Sequence, residues 1–393
     1  MTSKRHLLKL ALGLVAAASA GVAPAADTGP IKIGLILPMT GQSASTGKQI
    51  DAAVKLWMAQ NGDKVAGRKV EVILKDDAGV PDTTKRIAQE LVVNDKVTVL
   101  AGFGLTPLAL ATAPIATQSK TPLVVMAAGT SSITQASEFV VRTSFTLPQV
   151  TTSIAEWAAK NKIRKVVTLV SDFGPGFDAE KFFDSQFRLN GGQVLDKLRT
   201  PLRSPDFAPV LQKVLDAKPD ALFVFLPSGQ GATFMKQFAE RGLDKSGIKL
   251  IATGDVTDDD QLNDMGDVAL GVVNSHHYSA AHPSATNKKF VEAFQAANKF
   301  RPNFMAVGGY DGMRVIYKAL ETTKGAGGEA LLNAMKGQIF ESPRGPVLID
   351  AQTRDIVQDV YIRKVERVAA MDNQLYNVEF DVIKAVKDPG KAK

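Results

Sequence analysis

The sequence predicts an α/β protein built from two Rossmann-like lobes, and three observations carry that expectation. Short apolar runs at 31–37, 70–74, 97–102, 122–126, 166–170, 193–197, 221–226 and 249–252 have the length of buried strands. Between them, 47–60, 82–94, 107–119, 148–160, 177–190, 207–217 and 231–241 place apolar residues three and four apart, the spacing of one helix face. Such alternation builds parallel sheets covered by helices on both faces. The pattern also occurs twice, since 166–252 repeats the strand and helix order of 31–126 over a similar length.

The remaining segments connect the two units. Residues 140–148 and 271–279 read as extended crossovers. Residues 287–299 and 305–323 read as helices with nowhere to pack but a lobe already built, and 345–350 and 359–366 return to strands. A chain that visits lobe one, lobe two, lobe one and lobe two again makes three connections at one waist, which is a three-strand hinge. The expected boundaries are 27–145 plus 275–345 for lobe one and 146–274 plus 346–393 for lobe two.

Composition agrees with a large globular protein. With 393 residues, 45% of them apolar and 22% charged, the chain can bury a core in each of two or three domains. Residues 1–26 read as a leader: Lys4 and Arg5 precede an apolar core at 7–20 too short for a typical membrane span, and Ala23-Pro24-Ala25 fits small-x-small cleavage. The mature chain is expected to start at Ala26 or Asp27, in the periplasm. Without Lys4, Arg5 and Lys9 the formal charge falls from +7 to +4, so the basic balance is no argument for a nucleic-acid partner. Zero cysteines exclude a disulfide framework, a thiolate zinc site and a cysteine nucleophile.

Several motifs resemble chemistry they do not perform. Gly41 to Lys48 opens a helix after the first strand, but five residues separate its glycines and Gln49 follows the lysine, which is not phosphate-loop spacing. Gly174-Pro175-Gly176-Phe177-Asp178-Ala179 matches G-x-G-x-x-A, yet Asp172 would set a carboxylate beside a pyrophosphate. His276 and His277, adjacent on a strand, cannot both face one metal without a bulge. Either a cleft role or a satisfied crossover position fits them. Asp258, Asp259, Asp260 and Asp264 read mainly as helix-capping and first-turn charge, whereas Asp255 sits directly at a strand end. No nucleophile triad or metal-protease motif is present, so an enzyme is not expected, and neither a cofactor nor a metal is implied.

What remains is a set of small, polar, glycine-rich loops after strand C-termini: Thr106-Pro107, Ala128 to Ser132 and Ser228 to Gly231. Ligands bind there in open α/β sheets. Hydroxyls and helix-start N–H groups in such loops suit a carboxylate.

At this point the chain resembles a known family. The leader, the opening Ile31-Lys32-Ile33-Gly34-Leu35-Ile36-Leu37-Pro38-Met39-Thr40-Gly41, Asp76-Asp77, Asp172 to Gly176 and Tyr310-Asp311-Gly312 together resemble the periplasmic solute-binding proteins of branched-chain-amino-acid-type ABC transporters. The resemblance spans the mature chain. It implies a type I periplasmic binding fold that closes on a small ligand and presents the closed form, as a monomer, to a membrane permease. By that resemblance the carboxylate cradle falls at Thr106, Ala128 and Thr130, covered by the loop bearing Ser43 and Ser45.

The amino-group side departs from the family pattern. Phe173 stands where amino-acid binders carry a tyrosine, and Leu147 where they often carry an acid, so two acceptors for an ammonium are missing. Asp255 remains. With Phe103 and Phe173 able to flank a ring, and Asp255, Gln230 or Tyr278 to meet a ring hydroxyl, the departures resemble family members that take up benzoate-like or hydroxycinnamate-like acids. A branched-chain or other amino acid is the alternative.

Overall fold

The computed structural model describes residues 29–391, so the expected leader lies outside the described residues. The first unit runs β1 (Ile31–Leu37), α1 (Ala44–Asn61), β2 (Lys64–Val65), β3 (Arg68–Asp76), α2 (Pro81–Val93), β4 (Val99–Gly102), α3 (Thr106–Ser119), β5 (Leu123–Val125) and β6 (Val140–Arg142). The second runs α4 (Leu147–Lys160), β7 (Lys165–Ser171), α5 (Gly174–Leu189), β8 (Gln193–Thr200), α6 (Ala208–Ala217), β9 (Ala221–Phe225), α7 (Gly231–Glu240), β10 (Lys249–Thr253), α8 (Leu262–Met265) and β11 (Val273–His276). Then follow α9 (Ala285–Asn298), α10 (Phe304–Thr322), α11 (Gly328–Met335), β12 (Ile339–Ser342), β13 (Gly345–Ile349), β14 (Ile356–Val368) and β15 (Gln374–Val386).

Among the described residues these strands form two sheets. The first has the order β2-β3-β1-β4-β5-β6, and the second β12-β13-β14-β11-β10-β9-β7-β8, with β15 along β14. The parallel kernel β3-β1-β4-β5-β6 of the first matches β8-β7-β9-β10-β11 of the second, strand for strand. Each kernel reverses its winding at its first strand, between β1 and β4 and between β7 and β9. Ligands of doubly wound sheets sit outside the strand C-termini at such a switch point. This is the α/β architecture of two Rossmann-like lobes that the strand and helix periodicity predicts, and the type I periplasmic binding fold that the resemblance implies.

Two glycine motifs that mimic nucleotide loops are explained by packing. A Cβ on Gly47 would collide with the Pro38 carbonyl, and one on Gly176 with the Ser171 carbonyl. In each lobe the first turn of the helix lies directly on the end of the preceding strand, which only glycine permits.

The structure adds elements and moves a boundary. Both expected crossovers contain strands: β6 pairs with β5, while β11 pairs parallel with β10 and antiparallel with β14. Helices α9 and α10 lie against α1, and α11 against α10. The lobe-one assignment of 275–345 does not hold throughout, because β11 ends at His276 and β12 pairs with β13, so both ends of that segment belong to the second sheet. Strand β15 lacks a clear period-two pattern because its second half is an exposed edge.

One buried cation ties these parts together. Arg142, fully buried at the end of β6, donates from Nη1 to the carbonyls of Ala128 and Phe145, both at 3.1 Å, and from Nη2 to that of Thr130 at 2.7 Å. Its Nε lies 2.8 Å from the buried carboxylate of Asp355, which follows β13 in the second sheet. Burial lowers its pKa to about 10, so the guanidinium stays charged at neutral pH. Arg142→Met should therefore lower stability by about 3–5 kcal/mol, because Asp355 loses its partner in a buried site. Urea denaturation reads this. The double change R142M/D355L should recover part of the loss, and a single-variant loss under about 1 kcal/mol would contradict the account.

Candidate ligand-binding cleft

The loops at the two switch points face one another across a narrow cleft, with about 450 Å³ between its walls when the open solvent at its mouth is counted. From the first lobe come Ser43 and Thr46 at the start of α1, and Gly104, Leu105 and Thr106 at the start of α3. Phe173 and Pro175 at the start of α5, and Phe225, Pro227 and Ser228 before α7, answer from the second. Four helix N-termini thus converge on the cleft, and their partial positive charge favours an anion.

The first-lobe wall carries a pair of joined hydroxyls. Thr106 is buried, and its Oγ1 lies 2.8 Å from Oγ1 of Thr130. When Thr130 donates, the Thr106 hydroxyl proton is free to point into the cleft. Ala127, Ala128 and Gly129 continue this wall, and the Ala128 carbonyl is held from behind by Arg142. Asp76 fixes the covering loop by accepting from Met39 N at 2.9 Å and from Thr40 Oγ1 at 2.7 Å.

The middle of the cleft is apolar and aromatic. Phe145 and Leu147 pack on Gly129, where an added Cβ would come within 3.1 Å of the Phe145 ring. Phe145 is braced by His276, His277 and Phe304, with ring centroids 4.7, 5.1 and 5.8 Å away. On the second lobe Phe173 and Phe225 lie nearly parallel, 6.3 Å apart. Leu105 and Met305 complete the apolar lining.

The second-lobe wall ends in Ser228 and Asp255, both buried. Asp255 Oδ2 sits 3.6 Å from Nε2 of His276, which is fully enclosed. Burial pushes His276 down to about 4, against the pull of Asp255, so the imidazole is neutral at neutral pH. Among the described residues no group of three or more His, Asp or Glu is placed to hold a metal.

The lobes are closed on each other. Ser45 Oγ donates to Asp260 Oδ2 at 2.6 Å, Ser131 N to Asp178 Oδ2 at 3.0 Å, and Asn303 Nδ2 to Asp258 Oδ2 at 3.1 Å. The acidic run before α8 therefore serves lobe contact more than capping, and the cap residue of α8 is Gln261, whose side chain makes no cap hydrogen bond.

Of the residues singled out by sequence, Ser43, Thr106, Ala128, Phe173 and Asp255 line the cleft and five do not. Phe103, at φ +66, ends β4 with a left-handed turn that leaves its ring in the core. Ser45 is drawn to Asp260, and Thr130 stands one layer behind Thr106. Gln230 donates to the Leu202 carbonyl at 2.9 Å. Tyr278 is fully buried behind the second crossover. Ser228 lines the cleft from the expected Ser228 to Gly231 loop, whereas Phe145 and Phe225 were not foreseen as lining residues.

Residues 30–370 match the periplasmic binding protein family. The chain belongs to that family. This periplasmic binding protein is 63% identical to the solute binding protein of an ABC transporter from Rhodopseudomonas palustris BisB5, solved with 3,4-dihydroxybenzoic acid, with a TM-score of 0.90 over 92% of this chain and 99% of that one. A second solute binding protein, from Rhodopseudomonas palustris HaA2 and solved with p-hydroxybenzoic acid, is 40% identical with a TM-score of 0.89 over the same shares. The Leu/Ile/Val-binding protein homolog 6 of Brucella melitensis is 43% identical over 97% of this chain and 98% of its own length.

The neutral state of His276 has a consequence for acid stability. Its folded-state pKa of about 4 lies below the ordinary 6.5, so on acidification the unfolded chain takes up the proton first. The stability tied to the neutral ring is complete above pH 6.5 and is lost as pH falls through about 4, up to about 3 kcal/mol. Urea midpoints measured across that window should fall for the wild type and flatten in His276→Gln. Parallel curves for the two proteins would refute the assignment.

Proposed function

We propose that the protein is the periplasmic capture component of an ABC transporter, and that it closes on a small aromatic carboxylate carrying a ring hydroxyl. The observation that carries this reading is the apolar, aromatic middle of the cleft, with Phe145 on one side and Phe173 with Phe225 on the other. Thr106, among converging helix N-termini, supports a carboxylate at one end, and Asp255 an acceptor for a hydroxyl at the other. The solute binding proteins solved with hydroxybenzoic acids support the same reading. No bond is broken. Micromolar capture needs about −8 kcal/mol, within reach of a buried ring and a few charge-assisted hydrogen bonds.

An amino-acid ligand is the second reading, favoured by Asp255 and by the Leu/Ile/Val-binding relatives. Against it stand Leu147 and Phe173, which give an α-ammonium no acceptor in a closed cleft. The leader at 1–26 places the mature protein with its permease, and the three passages between sheets act as the hinge. The ligand touches both lobes, so it favours the closed form by its differential affinity for it.

Isothermal titration with 4-hydroxybenzoate, benzoate and leucine decides between the readings. Micromolar 4-hydroxybenzoate binding without leucine binding is expected, and the reverse would overturn the proposal. Thr106→Val should weaken benzoate and 4-hydroxybenzoate alike, by about 10- to 100-fold, since both lose one charge-assisted hydrogen bond. Small-angle scattering of the ligand-free protein should show a larger radius of gyration than with saturating 4-hydroxybenzoate; identical profiles would remove the hinge.

A further inference from the structure

The second-lobe end of the cleft offers more hydrogen-bonding capacity than one ring hydroxyl uses. Ser228 and Asp255 are 8% and 4% exposed, and neither Ser228 Oγ nor Asp255 Oδ2 makes a hydrogen bond of full geometry within the protein, although each lies against a buried polar side chain. The other buried hydroxyl pair facing the cleft, Thr106 with Thr130, is already joined. Behind Ser228 lies the buried Asp258, whose pKa burial pushes well above the ordinary carboxylate range and the Ser228 hydroxyl draws part of the way back. Behind Asp255 lies neutral His276.

The two groups are neighbours by construction. Ser228 is three residues beyond β9 and Asp255 two beyond β10, and these strands pair in parallel from Ala221↔Lys249 to Val224↔Ala252. Their loops therefore leave the sheet side by side, across the cleft from Thr106. A carboxylate accepts only, whereas a serine hydroxyl both donates and accepts. A ring anchored by its carboxylate at Thr106 turns its far edge to both. We infer that Ser228 and Asp255 form a subsite for two adjacent ring hydroxyls, so that the protein selects catechol carboxylates over singly hydroxylated ones and those over benzoate. The inference rests on the aromatic-carboxylate reading above and deepens it. Benzoate leaves both buried groups unpaired, and a site built for a hydroxyl penalises the analogue that lacks it.

The test is titration of wild type, Ser228→Ala and Asp255→Asn with benzoate, 4-hydroxybenzoate and 3,4-dihydroxybenzoate. The wild type should bind 3,4-dihydroxybenzoate about tenfold more tightly than 4-hydroxybenzoate, one hydrogen bond's worth. Ser228→Ala should collapse that ratio to within about threefold. Asp255→Asn should weaken both hydroxylated acids relative to benzoate. A ratio that Ser228→Ala leaves intact, or equal wild-type affinity for all three acids, would overturn the subsite while leaving the aromatic-carboxylate reading standing. Leucine binding with no aromatic acid bound would overturn both.

Discussion

The buried guanidinium of Arg142 is the constraint on which the cleft depends. A cation without water must be given acceptors from every side, and here they come from three different segments. Two are the carbonyls of Ala128 and Thr130, in the loop that forms the cleft wall; one is the carbonyl of Phe145, in the first crossover. The ionic partner, Asp355, comes from the other sheet and is also paired with Lys391 near the C-terminus. Satisfying one charge therefore fixes the ligand wall, the crossover and the packing of the sheets together. The same device recurs nearby. Arg344 donates to the carbonyls of Thr143 and Ser144 in the first crossover, and Arg363 holds the Tyr278 carbonyl and Asn274 in the second.

Backbone topology then decides what can stand in the cleft. Because both kernels switch direction at their first strand, the loops after β1, β4, β7 and β9 share one space. Each begins a helix, so the cleft gathers positive dipole ends without a single Lys or Arg among its lining residues. An anion held this way keeps a fixed orientation, since the donors are set by backbone and a threonine rather than by flexible side chains. The rest of the wall is free to be apolar, and Phe145, Phe173 and Phe225 occupy it.

How much of this was legible follows from what periodicity records. Most helices announce themselves by apolar residues three and four apart, and most parallel strands by short continuous apolar runs buried on both faces, and the observed bounds lie within a few residues of the expected ones. Strands β6, β11 and β15 did not, since the first two are three and four residues long inside segments read as crossovers and the third is half exposed. In the site, Thr106 could be found because strand-end loops are where ligands bind, and Phe173 because it stands where the resembled amino-acid binders carry a tyrosine. Phe103 was misplaced by one left-handed residue, a choice of backbone well that no side-chain pattern encodes. Phe145 was read only as part of the hinge, because its place in the cleft depends on Gly129 yielding space and on Arg142 holding its carbonyl.

The closed state explains why a ligand is needed at all. Every cross-cleft contact described above sets an acidic acceptor on the second lobe, Asp178, Asp258 or Asp260, against a neutral donor on the first: Ser131, Asn303 or Ser45. In an open form those carboxylates face water. Closing strips that water away, and the cost is visible at Asp258, where burial and then the neighbouring Asp260 raise the pKa well above the ordinary carboxylate range. A hydrogen bond to a carboxylate returns about 1.5–3 kcal/mol, but the desolvation of the acids offsets much of that, so the latch by itself holds the lobes near balance. A ligand that fills the apolar middle and neutralises the converging helix ends adds what the latch lacks, and only a ligand touching both walls can do so. Weak, acid-based lobe contacts thus make closure conditional on occupancy, which is the property a capture protein requires.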